Sequence, residues 1–323
     1  MTALLLVMTG CVGAPQSALL LAHFNEHSNA DLIEHHREQA APVLSPRVNL
    51  DNVLFFPQEE YQCGPAALAT VLNASLVVVS PDDLVSQVYV PERQGSLQIE
   101  MLAAPRRYGR ISYQLPPSLD AVLREVQAGR PVLVMQNLAL TRFPQWHYAV
   151  VVGYDLAQQD IILRSGTIRD YRVSLRVFER TWSRAQHWAV VILQPGELPL
   201  QASEDGYFQA VSAYENAGAS SQAGAAYRAG LERWPDSQLL GMGYGNLAYR
   251  DGDRELAITA YSKVLEHHQD YAAAHNNLAQ VMFETGDLQG AEAHARNAVR
   301  LGGSFAEIYQ RTLDRVLAAN AAR

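Results

Sequence analysis

The chain is 323 residues long, 48 % hydrophobic and 18 % charged, enough for about two domains with cores of their own and too apolar for disorder to be the expectation. Its formal charge of −8 leaves no basic footprint, which excludes the usual nucleic-acid binder and a surface that clings to anionic lipid. Only two cysteines are present, Cys11 and Cys63, and they fall in very different settings.

Residues 3–10 form an apolar run too short to cross a bilayer but suited to the hydrophobic part of a secretory signal. Met8, Thr9, Gly10 and Cys11 resemble a bacterial lipobox, in which the cysteine receives lipid and becomes the mature N-terminus. No Lys or Arg precedes the run. Val12 follows the cysteine where an Asp would resemble an inner-membrane retention signal, so the resemblance implies a lipoprotein of the outer membrane, facing the periplasm. The expected order is therefore a signal segment over 1–11, lipidated at Cys11, and then a polar tether over 12–45 with a helical stretch at 19–39. His23, His27, His35 and His36 lie in this stretch. Adjacent His35 and His36 point to different helix faces, and no zinc-type grid surrounds them, so no metal is expected.

From 46 to 197 the pattern is one of helices first and short apolar strands afterwards. Gly64 and Pro65 suit a turn into a first helical position, with Leu68, Val71 and Leu72 as the buried face behind them and Cys63 at the helix N-terminus. A cysteine at a helix N-terminus feels the positive end of the macrodipole, which favours the thiolate. If Cys11 carries lipid, Cys63 has no disulfide partner, and an unpaired thiol in an oxidising compartment is expected to have work to do. Ser80, Pro81, Asp82 and Asp83 open a second helix, and 118–128 reads as a third, stopped by Gly129. Residues 131–135, 147–153, 160–163 and 188–193, rich in Val and Ile, read as strands. The expectation is an α+β domain.

Beyond Pro195, Gly196 and Pro199 a 34-residue period appears: Gly252 and Asp253 recur as Gly286 and Asp287, Ala257 as Ala291, Tyr227 as Tyr261. Three helix–turn–helix units follow, 204–237, 238–271 and 272–305, with a closing helix from about 306. The spacing resembles the tetratricopeptide repeat, whose all-α solenoid offers a groove to a protein segment or buttresses a neighbour.

A thiolate nucleophile needs a base, an oxyanion donor and a group to orient the base. His147 and His187 each stand at the start of an apolar strand, and spacing alone leaves both open. The block from Gln58 through Cys63 to Leu68, together with His147, Tyr148, Ala149, Val150, Val151, Val152 and Gly153, resembles the two signature blocks of cysteine peptidase family 39. That resemblance covers roughly 50–195. It implies a papain-like fold with Cys63 as nucleophile, His147 as base and Gln58 as oxyanion donor, Gln62 being a second candidate donor. The family's orienting Asp is absent: Ser165 or Arg164 takes its place. Asp155 and Asp160 read as turn residues, and Asn137 is another polar group able to face the site.

The function implied is a lipid-anchored periplasmic cysteine peptidase acting on a protein or peptide, with repeats that recruit a protein partner and with no cofactor or metal. A catalytically weak binding scaffold and a thiol acyltransferase are the alternatives, since the same thioester can meet water or an amine.

Overall fold

The computed structural model describes residues 14–28, 43–58, 62–218 and 220–322. The lipidation candidate Cys11, its apolar run, His35 and His36 lie outside the described residues. Two compact units are present. The first runs to Ile192, with a short return at Pro199–Gln201, and the second takes Ala202 onward together with Leu193–Leu198 and Gly109–Ile111.

The first unit opens with α1 (Pro15–Ser28), which begins earlier than the expected stretch at 19 and is no free tether. Its first backbone amides, at Gln16 and Ser17, donate to the two carboxylate oxygens of buried Glu179 at 2.8 and 2.7 Å, so an acid from a distant helix neutralises the orphan N–H groups. After β1 (Arg47–Asn49) comes α2 (Cys63–Ala74), whose face of Leu68, Val71 and Leu72 is fully buried as the spacing requires. Then follow α3 (Pro81–Val88), β2 (Tyr89–Val90), a single 3₁₀ turn, β3 (Gly95–Ser96), α4 (Gln98–Arg107), β4 (Ile111–Gln114) and α5 (Leu119–Gln127). Ser80 and Asp83 form a capping box on α3, and Ser118 caps α5.

The rest of this unit is β5 (Val132–Asn137), β6 (Trp146–Asp155), β7 (Asp160–Ser165), β8 (Ile168–Ser174), α6 (Leu175–Ser183) and β9 (Ala189–Leu193). One sheet runs in the order β4-β9-β5-β6-β7-β8, with β1 also paired to β6. Its neighbours β5–β6, β6–β7, β7–β8 and β5–β9 are antiparallel, so the segregated α+β expectation holds. Tyr148, Val150 and Val152 point from β6 into one core with Leu68 and Leu72 of α2, which fixes the mouth of that helix against the start of that strand. β8 escaped the sequence reading because its residues are polar and exposed, with no apolar alternation to betray it.

The second unit is helical: α7 (Glu204–Asn216), α8 (Ser220–Arg233), α9 (Gln238–Arg250), α10 (Arg254–His267), α11 (Ala272–Thr285), α12 (Leu288–Leu301) and α13 (Ala306–Ala321). Gly252 and Gly286 occupy the left-handed region at φ 86° and 87°, each ending a helix, and Asp253 and Asp287 each cap the next. That explains the recurring Gly-Asp pair. Rings also need room between the helices: a Cβ on Gly245 would fall 2.5 Å from the Tyr261 ring, and one on Gly243 would fall 2.5 Å from Tyr227. No helix among the described residues is long and apolar enough to cross a membrane.

Candidate active site

Cys63 is the first residue of α2, and Gln62 is its N-cap without a side-chain cap bond. The expected turn at Gly64 and Pro65 is corrected here, because both lie inside the first helical turn. Pro65 is tolerated there since those amides have no intrahelical partner. Gly64 is small for another reason: a Cβ would fall 2.1 Å from Ser96 Oγ, so the β2–β3 hairpin rests directly on the helix start.

A cleft of about 980 Å³ opens at this helix mouth, and Cys63, Gln58, His147, Tyr148, Ser96 and Gly166 all line it. Gln58 is held from both ends of its amide. Its Oε1 accepts from Gly166 N–H at 2.9 Å and its Nε2 donates to Tyr148 O at 3.3 Å, which leaves the second Nε2 hydrogen uncommitted among the described residues. Gln62, the second candidate donor, does not line the cleft.

His147 stands one residue into β6, opposite Gln136 of β5. Its Nε2 lies 2.8 Å from Ser165 Oγ at the end of β7. When Nε2–H donates to that hydroxyl, Nδ1 carries the lone pair. Of the two residues expected in the place of the acid, only Ser165 reaches the imidazole. Arg164 turns the other way, buried, donating to the carbonyls of Leu50 and Val53 and pairing with Asp170.

The remaining candidates serve the scaffold. His187 packs edge-on against Trp182, ring centroids 4.7 Å apart, and does not line the cleft. Asn137 does not face the site either. Its Oδ1 accepts from Ala139 N–H and Gln145 N–H at 3.1 and 3.0 Å, which closes the loop leading back to His147. Asp155 bounds the β6–β7 hairpin and accepts from Gln158 N–H, while Asp160 pairs with it across the strands. Among the described residues no group of three or more His, Cys, Asp or Glu is placed to hold a metal ion.

The electrostatics depart from the helix argument. Burial pushes the Cys63 thiol up, and the backbone amides of Tyr148, Gly64 and Cys63 pull it back only in part. Burial likewise holds His147 below the ordinary imidazole value. Desolvation at the α2–β6 core thus acts against the thiolate that a helix N-terminus favours. Ser96, which also lines the cleft, carries no sequence signal: a serine in a two-residue strand looks ordinary until the chain is folded.

Residues 50–190 match the model of the peptidase C39-like family, and residues 245–286 match a TPR repeat model. The chain thus carries a peptidase C39-like domain followed by tetratricopeptide repeats. No curated protein sequence matches it. Among solved structures it is similar to one from Bacillus anthracis described as a C39-like peptidase, at 18 % identity and a TM-score of 0.39, covering 46 % of this chain and 98 % of that one. It is also similar to the Yersinia enterocolitica type III secretion chaperone SycD in complex with a peptide of the translocator YopD. There the identity is 17 % and the TM-score 0.35, over 37 % of this chain and 97 % of that one.

Proposed function

We propose that the chain is a cysteine peptidase anchored through lipid on Cys11 at the outer membrane, facing the periplasm, with its repeats holding a protein substrate or partner. The observation that carries the chemistry is the one cleft lined by Cys63, His147 and Gln58, with Ser165 against Nε2 of the imidazole. His147 Nδ1 takes the thiol proton as Cys63 Sγ attacks the scissile carbonyl carbon. The oxyanion is received by the Cys63 N–H and the free Nε2 hydrogen of Gln58. The imidazolium then gives its proton to the departing amine, leaving a thioester. Water, deprotonated by the same nitrogen, releases the acid and restores the thiol.

The raised thiol and the hydroxyl in place of an acid favour a second, catalytically weak reading, in which the domain binds a peptide more than it cuts one. One experiment separates them. The full chain is incubated with a pool of unfolded envelope proteins and new N-termini are identified by mass spectrometry. Cleavage present in the wild type and lost in both Cys63→Ala and His147→Ala supports the peptidase; a pattern unchanged in both variants overturns it. Incorporation of labelled palmitate, abolished by Cys11→Ser, tests the anchor.

A further inference from the structure

The cleft differs in charge from the chain that holds it. The protein carries a formal charge of −8, yet among the described residues the cleft is lined by two cations, Arg93 and Arg184, and by no Asp or Glu. Arg93 stands in the turn between β2 and β3 and is exposed; Arg184 follows α6 and is half-buried. Arg184 Nη1 donates to Ala139 O at 2.8 Å, at the foot of the loop whose Pro144, Gln145 and Trp146 also line the cleft. No carboxylate pairs with it among the described residues. Other half-buried arginines of the chain are treated differently: Arg124, Arg130 and Arg254 pair with Asp120, Glu125 and Glu284 at 2.6, 2.6 and 2.8 Å. Arg106 also lacks an acid, but it does not line the cleft. A guanidinium drawn out of water without a counter-charge is unfavourable, and a ligand that brings a carboxylate to its planar fork removes the penalty.

The backbone beside both cations is a second observation. Gln94 and Gln186, one and two residues further on and lining the same cleft, hold left-handed conformations at φ 49° and 56°. Non-glycine residues adopt that region at a cost, and they gather where a ligand is held. The sheet also sets a distance. β9, which follows Arg184, lies two strands from β6, so this cation stands about 10 Å to one side of His147, a span of about three extended residues.

We propose that the cleft is built for an acidic peptide: Arg184 binds the carboxylate of an Asp or Glu about three residues from the bond that Cys63 attacks, and Arg93 draws the acidic segment in from solvent. This deepens the peptidase reading above and takes from it that the occupant is a peptide.

The test reads occupancy of the cleft and needs no cutting. Iodoacetamide alkylation of Cys63 in the full chain is timed with and without a hexapeptide of alternating Ala-Glu, Ala-Gln or Ala-Lys. All three are acetylated and amidated, so that side chains alone carry charge and an acid falls within reach in any register. At low salt the Ala-Glu peptide is expected to protect Cys63 at a concentration about 10-fold lower than Ala-Gln, and Ala-Lys is expected not to protect. Arg184→Gln is expected to abolish most of that preference and Arg93→Gln to reduce it about 2- to 5-fold. Arg184→Lys, which keeps the charge without the fork, is expected to fall between wild type and Arg184→Gln, and it carries the comparison together with Arg93→Gln if Arg184→Gln does not fold. Equal protection by Ala-Glu and Ala-Gln, protection by none, or a preference unmoved by the arginine variants overturns the inference and leaves the peptidase reading to its own cleavage experiment. An acidic preference in a chain that cuts nothing keeps the inference and overturns the peptidase.

Discussion

His147 Nε2 and Ser165 Oγ stand 2.8 Å apart, a neutral hydrogen bond where an ion pair would hold the imidazolium. Ser165 can fix the ring and its tautomer, but it brings no charge to stabilise a protonated base. Burial holds His147 low and Cys63 high, which widens the interval between the two titrations. The pH profile of kcat/KM is therefore expected to be a broad bell. Its acid limb falls below the ordinary imidazole value of about 6.5 and its alkaline limb above the ordinary thiol value of about 8.5. Ser165→Asp is expected to move the acid limb upward, since a carboxylate favours the imidazolium. Ser165→Ala is expected to lower kcat about 3- to 10-fold through loss of ring orientation. Rate profiles of the three proteins on one peptide check all of this, and an acid limb unmoved by Ser165→Asp counts against the contact.

Burial of neutral histidines also sets how the first unit responds to acid. His147 and His187 both titrate below their unfolded value, so on acidification the unfolded chain takes up their protons first. Their contribution to stability is complete above about pH 6.5 and is lost as pH falls toward the folded values. Thermal unfolding between pH 7.5 and 5 is expected to show a falling midpoint, with a shallower slope in His187→Asn. Asparagine suits that position because His187 has φ of 54°, in the left-handed region.

Gly64→Ala is expected to destabilise the protein by about 1–3 kcal/mol, the usual cost of overpacking, because the added methyl meets Ser96 Oγ on an element tied down through Tyr148. Urea unfolding gives the value. The double variant Gly64→Ala with Ser96→Gly is expected to recover most of it, since the obstruction is then removed, and no recovery would place the strain elsewhere.

In the repeats, Gly245→Val forces a branched side chain into the space of the Tyr261 ring. It is expected to destabilise the helical unit by at least about 1–3 kcal/mol. Iodoacetamide labelling of Cys63, which lies in the other unit, is expected to remain at the wild-type rate. Helical signal followed during heating measures the first effect; mass spectrometry of the labelled thiol measures the second.

What was legible in the chain followed the physics that is local. The 34-residue recurrence of Gly252 and Asp253 encodes a left-handed helix stop and an N-cap, both set by neighbouring backbone, so the solenoid could be read directly. The buried face of α2 was equally plain from Leu68, Val71 and Leu72. The thiol's proton affinity was not, because a macrodipole can be inferred from sequence order whereas desolvation depends on which strand closes over the residue, here β6. Gly64 suits a turn by residue type alone, yet its reason is a side chain 32 positions away. His147 and His187 each precede a similar apolar run; the resemblance picks the first, and packing onto Trp182 accounts for the second. Ser165 and Arg164 are neighbours on β7, and the alternation of the strand decides which one reaches His147.

Tyr148 follows the base directly, and each part of it holds a different piece of the cleft. Its carbonyl accepts from Gln58, its phenol donates to Ser96, its amide lies by the Cys63 thiol, and its ring fills the core against Trp188. Four separate chain segments thus take their alignment from one residue, so a shift at this strand position is shared by all of them at once. Redesign of the specificity of this cleft is best confined to its outer rim, around Trp146 and Gln186, where side chains can be exchanged without altering the common reference that Tyr148 provides.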